Sequence, residues 1–169
     1  MTYEATMLII ENGTIVAGAE SFATAAELVA YAANFGRVIP ADIPSQEALL
    51  RRAALQMDAL NWKGRAVNRD QALAWPRFNV CRNGWVLPSN TIPAQIKAGQ
   101  MALATEIHAD DLSPPEQRLG AISREKVGPL ETEYSTASPI ISKPAAVRQS
   151  YAQFSGLLQS SSQVSLSRS

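Results

Sequence analysis

The sequence predicts a mainly α fold: a small domain of three to four helices with short β-hairpins and an extended C-terminal arm. Apolar residues recur at helical intervals in three separate segments. Asn-Gly pairs interrupt short apolar runs where a hairpin would turn. The last eleven residues, QSSSQVSLSRS, include six serines and cannot build a core by themselves. These observations divide the chain into a helical domain over 1–134, with a hairpin near each end, and an arm over 135–169 that docks on a partner.

The first hairpin is expected over residues 7–16, where Asn12-Gly13 separates two apolar runs and can supply the positive φ angles of a tight turn. Thr24 and Glu27 have capping-box spacing, and Leu28, Tyr31, Ala32 and Phe35 form the stripe of a first helix that stops at Gly36. Pro40 and Pro44 mark a loop. Ser45 then caps a second helix, whose stripe is Leu49, Leu50, Ala53, Met57 and Leu60 and whose end lies near Asn61. From Trp62 to Pro88 the helical period disappears, and Lys63-Gly64, Trp75-Pro76 and Asn83-Gly84 predict an ordered loop with a small hairpin. Pro93 suits the first turn of a central third helix carrying Ile96, Gly99, Leu103 and Ile107, which Asp110-Asp111 and Ser113-Pro114-Pro115 break. Alternation around Gly128-Pro129 predicts a second hairpin within 122–134, and AAVRQSYAQFSGLL a short amphipathic helix.

Fifteen basic residues balance fifteen acidic ones, so net charge selects no class of partner. Its distribution is uneven. Residues 1–60 hold three Lys/Arg against seven Asp/Glu, whereas 61–100 hold Lys63, Arg65, Arg69, Arg77, Arg82 and Lys97 against Asp70 alone. Trp62, Trp75 and Trp85 fall in that basic stretch, the one compositional sign of nucleic acid. Core packing beneath a long loop is the stronger account of Trp62 and Trp75. A single cysteine, Cys81, excludes an internal disulfide and suits synthesis in a cytoplasm. The longest early apolar stretch, Met7–Ile10, is too short to span a bilayer, so neither secretion nor a membrane is expected.

No phosphate loop, dinucleotide fingerprint, nucleophile elbow or metal-ligand spacing occurs, so the expectation is no enzyme and no cofactor. His108 beside Asp110 and Asp111 reads as a solvated helix end that favours the helix dipole. Cys81 beside Arg82 lacks a second histidine or a CxxC partner. Glu125, Glu131 and Glu133 are accounted for by cross-strand pairing with Arg124 and Lys126.

Five pieces together carry a resemblance: ENGTIVAGAESFATAAELVAYAANFG (11–36), ALLRRAALQMDAL followed by WKGR (62–65), QALAWPR (71–77), Ile92-Pro93 before the third helix, and REKVGPLETEY (124–134). In order and spacing they resemble a phage family that carries the label DnaT-like single-stranded DNA-binding protein. That family is similar to the head-to-tail connector, or adaptor, proteins of tailed phages. Its motif residues here are Trp62, Gly64, Arg65, Gln71, Trp75, Pro76 and Gly128.

The resemblance implies a structural virion protein of a bacteriophage: an adaptor subunit in an oligomeric ring, a dodecamer, assembled in the host cytoplasm. Its partners would be the portal protein and a tail-side connector, with genomic DNA passing through the lumen during ejection. Arg77, Arg124, Lys126, Val147, Tyr151, Phe154, Leu157 and Leu158 are the expected subunit or portal contacts. The alternative is a single-stranded DNA-binding replication protein, which predicts affinity that weakens with salt. Buried tryptophans would favour the connector, exposed ones the strand binder.

Overall fold

The computed structural model describes residues 7–113, 117–118, 124–126, 131–133, 140–141 and 149–160, with side chains given for 7–113 and 149–160. The architecture is mainly α, as expected. Helix α1 spans Ala25–Asn34, α2 Ile43–Asp58, α3 Ala94–Leu112 and α4 Gln149–Gln153. None of these helices is long and apolar enough to cross a membrane.

The capping box at α1 forms as its sequence spacing requires: Glu27 N–H donates to Thr24 Oγ1 at 3.2 Å, and Thr24 N–H donates to Glu27 Oε2 at 2.8 Å. The helix ends in a Schellman turn, in which Gly36 takes φ 61° and Arg37 N–H donates to Ala32 O at 2.8 Å. For α2 the expected cap is displaced. Asp42, not Ser45, is the N-cap, and its carboxylate accepts the Ser45 N–H at 2.9 Å. Pro44 therefore lies inside the first turn, where a missing N–H costs nothing. The helix also stops earlier than its apolar stripe suggested, at Asp58. Helix α3 starts at an N-cap Pro93 and runs through Asp110-Asp111 to Leu112, because two carboxylates in a helix do not break it while Pro114 ahead does.

The expected N-terminal hairpin over 7–16 is absent. In its place the buried Glu11 gathers the chain around its carboxylate: Oε1 accepts N–H groups of Gly13 at 2.8 Å and Ile15 at 3.1 Å, and Oε2 that of Val16 at 2.8 Å. A carboxylate satisfying three local donors outcompetes strand pairing. Among the described residues, the segment makes one ladder contact, a parallel bridge between Ile10 and Ser21.

Helix α3 is the central element, buried on most of its surface from Ile96 to Ile107. One core lies among α1, α2 and α3 and contains Leu28, Tyr31, Leu50, Ala53, Ala102 and Ile107. The other contains Phe22, Met57, Trp62, Trp75, Val80, Ile96, Phe154 and Leu157. Gln100, fully buried on α3, ties them together. Its Oε1 accepts the N–H groups of Phe22 and Ala23, and its Nε2 donates to Ser21 Oγ and Leu50 O. All its hydrogen-bonding capacity is used, so this buried polar group carries no desolvation debt.

Of the expected arm over 135–169, residues 140–141 and 149–160 are described, and the expected short helix forms in it. Helix α4 is short, and after it the chain turns back so that Phe154 (1% exposed) and Leu157 (0%) enter the second core. Trp62 forms an antiparallel bridge with Leu158 at the same junction, where Lys63 N–H donates to Leu157 O at 2.9 Å and Gln159 N–H to Asn61 O at 2.8 Å. The buried Glu106 of α3 holds the start of α4, accepting Ser150 Oγ–H at 2.6 Å and Ser150 N–H at 3.0 Å. Residues 149–160 thus fold on the chain's own domain, because two large apolar side chains gain more by burial there than in water. The second hairpin forms: β6 (Arg124–Lys126) pairs antiparallel with β7 (Glu131–Glu133), with Arg124 opposite Glu133 and Lys126 opposite Glu131. A further pair, β5 (Gln117–Arg118) with β8 (Ile140–Ile141), brackets it in sequence.

Candidate nucleic-acid interface

Two short antiparallel pairs organise the basic middle of the chain. Strand β1 (Arg65–Ala66) pairs with β2 (Arg77–Phe78), placing Arg65 opposite Phe78 and Ala66 opposite Arg77. Strand β3 (Cys81–Arg82) pairs with β4 (Trp85–Val86), placing Arg82 opposite Trp85. Asn83 and Gly84 make the turn between them with φ 52° and 82°, the two positive angles of a type I′ hairpin. Directly opposed residues share one face of a ribbon, so the turn aims Arg82 and Trp85 the same way.

Trp85 is 79% exposed, and beside it Val86 is 70% exposed. Arg82 Nε donates to Ser155 O at 3.3 Å, and Lys63 Nζ donates to the next carbonyl, Gly156 O, at 2.8 Å. The returning C-terminal turn therefore brings these two cations together. Arg65 stands over the half-buried Phe78, its guanidinium carbon 5.6 Å from the ring centroid, a cation–π arrangement. Lys63, Arg65 and Arg82 have no carboxylate partner among the described residues. The result is an exposed indole and three positive charges carried on or next to one tight hairpin and one antiparallel strand pair.

The remaining cations of the basic stretch are committed elsewhere. Arg77 is a clip: Nε donates to Lys63 O at 2.8 Å, Nη1 to Ala74 O at 3.1 Å and Nη2 to Gly64 O at 3.0 Å. Burial pulls its guanidinium pKa down from the usual value. Lys97 pairs with Glu27 at 2.9 Å. Arg69 and Asp70 form an exposed pair at 3.6 Å. Behind the β1–β2 pair lies a groove of about 470 Å³ between Asp58, Asn68, Gln71 and Gln159.

Five of the expected motif residues, Trp62, Gly64, Gln71, Trp75 and Pro76, fasten the basic stretch through packing and backbone contacts. Trp62 (3% exposed) and Trp75 (0%) meet edge to face with ring centroids 5.7 Å apart, and Trp62 meets Phe154 in the same manner at 5.0 Å. Pro76 is buried behind a cis Trp75-Pro76 bond. Gln71 crosses the loop, its Nε2 donating to Leu73 O at 2.7 Å and Pro76 O at 3.0 Å. Gly64 takes φ 68° and sits so near Phe78 O that a side chain there would overlap it.

Of the residues expected at subunit contacts, Arg77, Phe154 and Leu157 are used inside the chain, and Leu158 is bridged to Trp62. Tyr151 is 47% exposed. Arg124 and Lys126 lie in β6, while Val147 and Gly128 fall outside the described residues. The tryptophans divide, two buried and one exposed, so their burial does not choose between connector and strand binder. Lys63, Phe78, Arg82 and Trp85 were not singled out as site residues from sequence. The Asn83-Gly84 pair was the available signal, since its turn type fixes the Arg82–Trp85 pairing. His108 lies on α3 away from this surface, Cys81 is exposed, and no group of three or more potential metal ligands occurs among the described residues.

No curated protein and no solved structure matches the chain. A family model does, over residues 6–169, and its description is "Putative DnaT-like ssDNA binding protein". This finding overturns the connector reading. The matched family is one of single-stranded DNA binding and not of head-to-tail adaptors, so the virion, the dodecameric ring, the portal and tail-side partners and passive DNA passage fall away. With the match extending over nearly all of its length, the chain belongs to this DnaT-like ssDNA-binding family.

Proposed function

We propose that this chain binds single-stranded DNA on the face carried by the β1–β2 pair and the β3–β4 hairpin. Trp85 stacks on a base, and Lys63, Arg65 and Arg82 contact the phosphates on either side of it. The observation that carries the reading is Trp85, 79% exposed yet held opposite Arg82 by a two-residue turn. An exposed indole costs free energy in water unless a ligand covers it, and every base offers a π-face for stacking. The family's printed description supports the same ligand. On this reading the chain acts by binding, needs no cofactor and performs no covalent step. An exposed thiol, Cys81, suits a reducing compartment.

Titration of the full chain with a fluorescent oligothymidine at several salt concentrations tests this directly. Three phosphate contacts give a log–log salt slope of about −2, at roughly −0.7 per contact on single strands. Affinity that is flat between low and moderate salt, or no binding at all, contradicts the proposal.

A further inference from the structure

At the far end of α3 a second cavity, of about 320 Å³, opens between that helix and the turn following α1. His108, which lines it, is twelve residues beyond Ile96, so about 18 Å of helix separates it from the tryptophan-lined core. Most of the lining is apolar, and Val38 (73% exposed) and Leu112 (69%) form a greasy rim.

Within that apolar setting Arg37 is anomalous. Its Nε donates to Thr105 Oγ1 at 3.4 Å, but its Nη2 is buried and meets no acceptor among the described residues. The hydroxyl of Thr105 is itself committed to Ala102 O at 2.7 Å. Two carboxylates of the same helix are committed elsewhere, Glu106 to Ser150 and Asp111 to Arg52. A desolvated guanidinium N–H without an acceptor is costly to leave unpaired, and its planar fork matches a carboxylate. The rim, for its part, calls for an apolar side chain next to that anion. A peptide's terminal residue carries both groups on one Cα, which a phosphate or an internal Asp or Glu does not.

We propose that this cavity binds the C-terminal carboxylate of a partner protein whose last residue is apolar. The carboxylate sits on Arg37 and His108, and the side chain lies between Val38 and Leu112. The site is at the opposite end of α3 from the DNA face, so both ligands can be held at once, and the proposal does not depend on the DNA reading.

The test uses the full isotope-labelled chain and N-acetyl-leucyl-phenylalanine, followed by NMR. The free acid is expected to shift the resonances of Arg37, Val38, Thr105 and Leu112. Its carboxamide should bind at least about tenfold more weakly, the equivalent of one charge-assisted hydrogen bond. Arg37→Gln removes binding. Val38→Asp, on the exposed rim, removes it too while leaving the fold and oligothymidine affinity unchanged. Equal binding of acid and carboxamide overturns the proposal. So do the same shifts on adding inorganic phosphate or oligothymidine alone, or an Arg37 Nη2 N–H already hydrogen-bonded in the free chain.

Discussion

Gly99 of α3 faces the ring of Phe154 so closely that a Cβ at position 99 would overlap the ring edge. The glycine is therefore a notch in the central helix, and Phe154 is the plug through which the C-terminal segment is fastened. Gly99→Ala is expected to destabilise the protein by about 1–3 kcal/mol, the usual cost of overpacking. Phe154→Ala should cost about 3–5 kcal/mol by leaving a cavity. In the double variant the methyl of residue 99 enters the space the ring has left, so the two costs are less than additive. Urea unfolding of the four proteins measures the coupling, and strict additivity would contradict the contact.

Trp85 and Trp75 should respond in opposite ways to the same substitution. Trp85→Ala removes a surface indole, and affinity for oligothymidine should fall by about 1–3 kcal/mol, the measured range for loss of one stacked base. Thermal stability should change by less than about 0.5 kcal/mol, as at other exposed positions. Trp75→Ala instead empties the second core and should cost about 3–5 kcal/mol of folding stability. Anisotropy titration and thermal melts of both variants separate the two roles.

Glu11 organises the N-terminal loop through charge and acceptor capacity together. Glu11→Gln keeps the shape but turns one acceptor oxygen into an NH₂ group facing a backbone N–H. Leaving that buried donor unsatisfied should cost about 1–3 kcal/mol. Hydrogen exchange at the amides of Gly13, Ile15 and Val16 should accelerate in the variant. Unchanged protection there would mean that the loop is held by other contacts.

Glu27 sets an acid limit on α1. Partial burial raises its pKa, but the hydrogen bonds from Thr24 N–H and Lys97 outweigh this and leave it below the usual 4.5. A depressed carboxyl contributes stability that is present above its unfolded pKa and disappears as pH falls through the folded one. Thermal midpoints should therefore drop as pH is lowered from 5 towards 3, and Glu27→Gln should flatten that limb while weakening the protein at neutral pH. An equally steep acid limb in Glu27→Gln would assign the effect to other carboxylates, such as Glu20 and Asp111, which their arginine partners also hold low.

Much of the local structure was legible because its causes are local. Thr24 and Glu27 meet through three residues of chain, Asn83-Gly84 needs only its own φ angles, and β6 and β7 pair with few residues between them. The errors came where a nearby competitor won. Asp42 took the cap that Ser45 seemed to own, since Pro44 can sit in a first turn. The carboxylate of Glu11 overruled the Asn12-Gly13 hairpin signal.

The candidate site was only half legible. Basic and aromatic residues interleaved over 61–100 mark the stretch that carries the proposed face, and the motif residues Trp62, Gly64, Gln71, Trp75 and Pro76 are structural members of it. Which of them faces solvent was not readable, because burial of an indole depends on what is packed over it. The residues packed over Trp62 include Phe154, more than ninety positions away.

By itself, then, the sequence determined the helical class, the caps and turns set by neighbours within a few residues, and the location of the basic stretch. The tertiary structure alone decided that Phe154 and Leu157 close the chain's own second core. It also decided that Lys63 and Arg82 converge on the carbonyls of Gly156 and Ser155, and that Trp85 is the tryptophan left exposed. The physical reason is that these outcomes depend on contacts between distant segments, whose free energy comes from excluding water between them and leaves no periodicity in either segment alone.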